Sequence, residues 1–119
     1  AECVRLGAAF LPYFPLASGL LTGKYRRGEA APAGSRLSSG ARASEFNDER
    51  MTRVEALRQF AEARGHTLLQ LAFSWLLART VVASVIAGAT SVEQVRANIA
   101  AASWELKPDE IAEIDRISA

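Results

Sequence analysis

Two stretches of this 119-residue chain carry residue types suited to holding an anion. The first runs Phe14-Pro15-Leu16-Ala17-Ser18-Gly19-Leu20-Leu21-Thr22-Gly23-Lys24-Tyr25. Gly19 and Gly23 permit backbone geometry and a close approach that a side chain would block. Thr22 and Lys24 flank Gly23, within reach of one anionic group. A partly desolvated Lys24 would add a charge-assisted hydrogen bond worth about 1.5–3 kcal/mol. A glycine-rich turn with a solvated lysine accounts for the same residues. The second stretch runs Gly88-Ala89-Thr90-Ser91-Val92-Glu93-Gln94-Val95-Arg96-Ala97-Asn98. A helix starting near Ser91 would offer free N–H groups and the positive end of its dipole to a phosphate. Thr90 and Ser91 add hydroxyls, Gly88 leaves room, and Gln94 and Asn98, four apart, share one helix face. The competing reading needs no ligand: Ser91-x-x-Gln94, or Thr90-x-x-Glu93, is a capping box.

Other chemistry is thinly represented. One cysteine, Cys3, excludes an intrachain disulfide and a multi-cysteine metal site. Beside Val4 it reads as a small hydrophobe. His66 is the lone histidine, placed in the Gly65-His66-Thr67 turn, and reads as a surface or turn residue. Fourteen basic residues against thirteen acidic give a net charge of +1. That balance argues against a nucleic-acid arm or a membrane-steering surface. Twelve of the fourteen cations are Arg, which reads as codon bias rather than a binding device. A helix-turn-helix over residues 50–79 is opposed by that charge and by its strongly apolar second helix.

The elements that would position these stretches follow from pattern. Half of the residues are hydrophobic and 23% are charged, which fits a folded domain rather than a disordered or collagen-like chain. No apolar run approaches the roughly 18 residues of a membrane span. Nothing at the N-terminus resembles a targeting signal, so a reducing cytoplasmic setting is expected. The chain starts without Met, its only one being Met51, which suggests a piece of something larger.

Residues 2–7 read as a helix tail closed by Gly7, and Ala8–Tyr13 as a short parallel strand with an irregular end at Pro12. The stretch from Phe14 to Asn47 reads as a long loop, its part from Gly28 to Ala43 the more mobile. Asn47 caps a helix whose stripe is Met51, Val54, Leu57, Phe60 and Ala61. Thr67 caps a second, nearly all-apolar helix. Val81–Ala87 is a β-branched parallel strand. Val92, Val95, Ile99 and Ala102, at spacings of 3, 4 and 3, mark the next helix. Pro108 opens the last, with Ile111, Ile114 and Ile117 inward and Lys107 a weak N-cap that should fray it. Trp75 and Trp104 read as core, and Arg26 and Arg27 as solvated loop charges. The order implies an α/β fold with one βαβ crossover, whose two strands leave two bare edges.

The two anion-holding runs together resemble an aldo/keto reductase. So do Ala61-Glu62-x-x-Gly65, Gln70-Leu71-Ala72-x-x-Trp75-Leu76, and Trp104-Glu105-Leu106 with Ile111, Ile114 and Asp115, so that nearly the whole chain is covered. The resemblance implies a (β/α)8 TIM barrel of about 250 residues or more, which transfers hydride from NADPH to a carbonyl. Residues 1–119 would then be its C-terminal segment, strands seven and eight with their helices, incomplete as a domain. On that resemblance Pro15, Leu16, Ala17 and Ser18 line the cofactor channel, and Thr22 and Lys24 hold the pyrophosphate. Arg36 approaches the adenosine 2′-phosphate, Gly88 and Thr90 meet the adenosine phosphate region, and Gln94 and Asn98 the adenine end.

The departures are equally specific. The family's catalytic Tyr, Lys, Asp and His match no residue here, and neither Tyr13 nor Tyr25 takes the proton donor's place. Catalytic and metal residues are therefore none, and the isolated chain should be inactive. Ala97 stands where many members carry Glu, and Gln94 where others carry Arg, so NADH stands beside NADPH as cofactor. The expected partners are a small-molecule carbonyl in the full enzyme, with no nucleic acid and no membrane, and self-association through bare strand edges. The alternative function is a noncatalytic nucleotide-binding or subunit-interaction module.

Overall fold

The computed structural model describes residues 2–38 and 43–119. Five α-helices carry the fold: α1 (Glu2–Leu6), α2 (Asp48–Glu62), α3 (Leu68–Leu77), α4 (Val92–Ala100) and α5 (Pro108–Ser118). Short 3-10 turns span Ala17–Thr22, Ala43–Glu45 and Ala101–Ser103.

Helix boundaries fall where local chemistry puts them. Gly7, with φ +63°, closes α1. The Asn47 side chain accepts the Arg50 N–H at 3.0 Å, and Asp48 and Glu49 occupy the positive first turn of α2. Thr67 and Gln70 form a reciprocal capping box that starts α3. Before α5, Lys107 gains the cap that its own side chain cannot supply. The Glu110 carboxylate accepts the Lys107 N–H at 2.9 Å. The helix is regular from Pro108 to Ser118.

The core lies between α2, α3 and α5. All five residues of the α2 stripe are buried, with Leu68, Leu71, Trp104 and Ile114 packed among them. Ile114 is buried and Ile117 packs on the cluster as α5 turns its apolar side inward. Ser74, buried inside α3, is satisfied by donating to the Ala101 carbonyl at 3.4 Å. Trp104 stacks on His66 with ring centroids 4.0 Å apart and planes 6° from parallel, so His66 packs on the core rather than standing free in its turn.

One expectation fails in an informative way. The segments Ala8–Tyr13 and Val81–Ala87 do run parallel, but they form a single bridge, Phe10 to Val82, rather than two strands. The Phe10 N–H donates to the Val81 carbonyl and the Phe10 carbonyl accepts from Ala83. The next rung would need an N–H at position 12, where Pro12 has none. The Pro12 carbonyl instead accepts from Ile86 at 3.0 Å, so an extra residue enters on the second segment and regular pairing ends. Helix α4 leaves its apolar stripe uncovered: Val92, Val95 and Ile99 are 60%, 47% and 72% exposed.

The long loop is less free than its composition suggests. Leu37 and Tyr25 are fully buried, and Phe46 packs on Tyr25 at 5.4 Å between ring centroids. Part of the stretch expected to be mobile, residues 39–42, lies outside the described residues.

Candidate functional site

Parallel pairing decides where the two anion-holding stretches lie. The segment around Phe10 runs into Phe14–Tyr25, and the segment around Val82 runs into Gly88–Asn98. Because both run the same way, both connections leave at the same end of the pair. The Ile86-to-Pro12 hydrogen bond closes that end. This is the end at which parallel α/β proteins bind ligands.

The first connection is a left-handed turn. Ala17, Ser18 and Gly19 have φ of +46°, +60° and +96° in succession. The Leu16 carbonyl accepts the N–H of Gly19 at 2.8 Å and of Leu21 at 3.3 Å. Holding Ala17 and Ser18 in this region costs about 1–2 kcal/mol per residue, so neighbouring contacts must offset it. Thr22 supplies one, its hydroxyl donating to the Gly19 carbonyl at 2.7 Å. Lys24 is exposed and folds back across the turn. A Cβ on Gly19 would sit 3.3 Å from Lys24 Cε. Gly19 is thus favoured by its backbone angle, and a Cβ there would crowd the flexible end of the lysine. The Lys24 ammonium lies 5.2 Å from the centre of the Tyr25 ring, a cation–π contact that holds the charge at the rim of the turn.

The second connection places Gly88, Thr90 and Gln94 at the start of α4. Ser91 Oγ accepts the Gln94 N–H at 3.2 Å, the ordinary N-cap bond. Gln94 Oε1 accepts both the Thr90 N–H, at 2.7 Å, and the Thr90 hydroxyl, at 3.1 Å. The carboxamide oxygen thereby gathers two donors in the way an anion's oxygen would. Gly88 has no positive φ, and a Cβ there would meet nothing within 4 Å, so it provides space rather than a special conformation. The Glu93 carboxyl is held below the usual carboxylate range, chiefly by its own backbone N–H and then by Ser91.

The sequence-named residues separate into groups. Leu16, Ala17, Ser18, Thr22 and Lys24 come together in the turn. Pro15 and Ala17 also line an apolar cleft of about 380 Å³ with Phe14, Leu57, Trp75 and Ile114. Asn98, half-buried, lines a second hollow of about 370 Å³ with Phe73, Val95 and Ile99. Arg36 stands exposed on a turn held by the Ser35 N–H bonded to the Pro32 carbonyl. Tyr25 is closed off from solvent, and its hydroxyl has no hydrogen-bond partner among the described residues. Tyr13 is exposed and edge-on to Phe14. Among the described residues no group of His, Cys, Asp or Glu is placed to hold a metal ion. No helix among them is long and apolar enough to cross a membrane.

Composition gave no hint of Glu45. Its carboxylate accepts the hydroxyl of Ser18, 27 residues earlier, at 3.1 Å. It also lies 3.6 Å from the Arg50 guanidinium. Only the return of the loop to the turn shows this pairing.

The profile of the aldo/keto reductase family matches residues 2–119, and the chain belongs to that family. It is 33% identical over 117 residues to the L-glyceraldehyde 3-phosphate reductase of Escherichia coli (strain K12), covering 92% of this chain and 33% of that protein. It is 38% identical over 99 residues to a probable voltage-gated potassium channel subunit beta of Arabidopsis thaliana, covering 80% and 30%. Among solved structures, the glycerol dehydrogenase of Gluconobacter oxydans superposes with a TM-score of 0.75 at 28% identity, covering 97% of this chain and 35% of that one. The chain therefore spans about a third of the length of the relatives it matches.

Proposed function

We propose that this chain is the C-terminal cofactor-binding portion of an aldo/keto reductase that uses NADPH to reduce carbonyls to alcohols. On this reading it contributes strands seven and eight of a (β/α)8 barrel, with their helices. One observation carries the proposal. Two stretches suited to anions, each with a structured turn, leave the same end of a parallel pair. A dinucleotide has a pyrophosphate and a separate adenosine end, which suits two such stretches side by side.

The residues fit the group. Gly19 and Lys24 form a cradle that a Cβ would fill, and the space beside Gly88 is open. Thr22 and Lys24 would hold the pyrophosphate, Gly88 and Thr90 the adenosine phosphate region, and Gln94 and Asn98 the adenine end. Pro15, Leu16, Ala17 and Ser18 would line the channel, and Arg36 would reach the 2′-phosphate. When bound, the cofactor supplies the hydride. This chain's residues bind and orient it and supply no proton donor. A reducing cytoplasmic setting and a small carbonyl substrate go with this reading, as does self-association through the faces that α4 and the paired segments leave uncovered.

The test is a titration of the purified 119-residue chain with NADPH and NADH, followed by an assay with 4-nitrobenzaldehyde. The expected result is binding of NADPH without turnover. Failure to bind either nucleotide overturns the cofactor role, and measurable turnover overturns the assignment of catalysis to residues outside this chain. The similarity to a potassium channel subunit beta supports a second reading, a noncatalytic nucleotide-binding or subunit-interaction module. The coding sequence upstream of Ala1 separates the two: an Asp…Tyr…Lys…His set there supports the enzyme, and its lack the module.

A further inference from the structure

We infer that Glu45 is a positioning residue for the dinucleotide turn and acts through Ser18. The inference rests on the reading above that this turn holds a dinucleotide.

The turn has a conformational problem that its own residues solve only in part. Ala17 and Ser18 both carry a Cβ, and both sit at positive φ. Such residues relax toward right-handed conformers unless the surroundings hold them. Ser18 is held from outside the turn. It is only 4% exposed, and its hydroxyl donates to Glu45 Oε2 at 3.1 Å. A carboxylate acceptor makes this one of the stronger hydrogen bonds available to a serine.

Glu45 is itself fixed. It ends the 3-10 turn Ala43–Glu45, which is closed by the Phe46 N–H bonded to the Ala43 carbonyl at 3.1 Å. Phe46 packs on buried Tyr25, and Asn47 caps α2. Arg50, in the first turn of α2, lies 3.6 Å from the same Glu45 oxygen. Continuous contact thus links the start of α2 to Glu45, from Glu45 to Ser18, and from Ser18 to the backbone that presents Thr22 and Lys24. Glu45 touches no bound group in this account. It fixes the turn so that the anion-holding residues keep their places.

The experiment uses the 119-residue chain as wild type, Glu45→Ala, Glu45→Gln, Ser18→Ala and the double Ser18→Ala/Glu45→Ala. Two quantities are read: hydrogen exchange at the Gly19 and Leu21 amides, and the dissociation constant for NADPH by fluorescence titration. Glu45→Ala and Ser18→Ala should each speed exchange at those two amides about tenfold, the effect of one charge-assisted hydrogen bond. The Leu71 amide inside α3 should keep its protection. NADPH binding should weaken by a similar factor. Glu45→Gln, which keeps an acceptor oxygen for Ser18, should fall between wild type and Glu45→Ala. The double variant should lose clearly less than the sum of the two singles, because the Ser18–Glu45 bond is counted in both. A merely structural role for either residue predicts additive losses and a loss of protection at Leu71 as well.

Additive losses, unchanged exchange at Gly19 and Leu21, or tighter NADPH binding in Glu45→Ala would each overturn the inference. The last would show Glu45 to be a competing anion. If the wild-type chain binds no NADPH, the proposed function fails by itself. The exchange pattern then upholds or overturns Glu45 without it.

Discussion

Three glycines near the proposed cofactor site differ in what holds them, and alanine substitutions separate the causes. Gly19 has φ +96°, with Lys24 Cε 3.3 Å and the Tyr25 ring 3.6 Å from where a Cβ would stand. Gly23 has φ +85° and open space around that point. Gly88 has neither a positive φ nor a neighbour within 4 Å. Gly23→Ala should therefore cost the conformational penalty alone, about 1–2 kcal/mol. Gly19→Ala should cost at least as much, and it should also push the flexible Lys24 side chain off the turn. Its excess over Gly23→Ala in stability should be small, because a lysine tip yields easily. Its excess in NADPH affinity should be larger, because the displaced group is the proposed anion contact. Gly88→Ala should change stability by less than about 0.5 kcal/mol. The assay is denaturant unfolding of the three variants, followed by the buried Trp104, with NADPH titrations alongside. Equal costs at all three positions would refute the reasoning. So would a Gly19→Ala chain that binds NADPH as well as Gly23→Ala does.

Two other consequences are open to direct measurement. Asp115 joins α5 to α3, accepting from Trp75 Nε1 at 2.7 Å and from the Arg79 guanidinium. The Trp75 hydrogen bond first, and Arg79 after it, hold its carboxyl below the usual range. A depressed carboxyl stabilises the fold above its unfolded pKa, and that contribution is lost as pH falls through the folded value. The side chain is 45% exposed, so solvent screening limits the contribution to about 1 kcal/mol or less. Unfolding curves of Asp115→Asn and wild type should therefore differ at pH 7 and draw together as pH falls through the acid range, whereas a gap that widens in acid would contradict the assignment. Separately, Ile99→Glu places a charge in the exposed stripe of α4 and should shift the chain toward monomer in sedimentation, weakening self-association about tenfold; a wild type that is monomeric at every concentration would refute the self-association reading.

Much of this protein was readable from local chemistry. Asn47, Thr67 and Pro108 start helices because a cap needs only its neighbours three residues on. The stripe Met51, Val54, Leu57, Phe60 and Ala61 is buried because helical period alone puts those side chains on one face. The turn around Gly19 was legible for the same reason: glycines beside Thr22 and Lys24 are unusual in a few consecutive residues.

Tertiary structure decided what depends on partners distant in sequence. The stripe Val92, Val95 and Ile99 has the period of a buried face, yet periodicity says nothing of whether an element exists to cover it, and here it is exposed. The strands at Ala8–Tyr13 and Val81–Ala87 shrink to one bridge because pairing depends on register between two segments, and Pro12 interrupts it. Glu45 reads as one more loop acid until the chain brings it back to Ser18. Sequence alone fixed the helices, their caps and the kind of residues at each turn, because those are settled within a few residues of backbone. Contact between segments decided which faces are covered and what holds the turn, because burial and long-range hydrogen bonds belong to pairs of groups that only folding brings together.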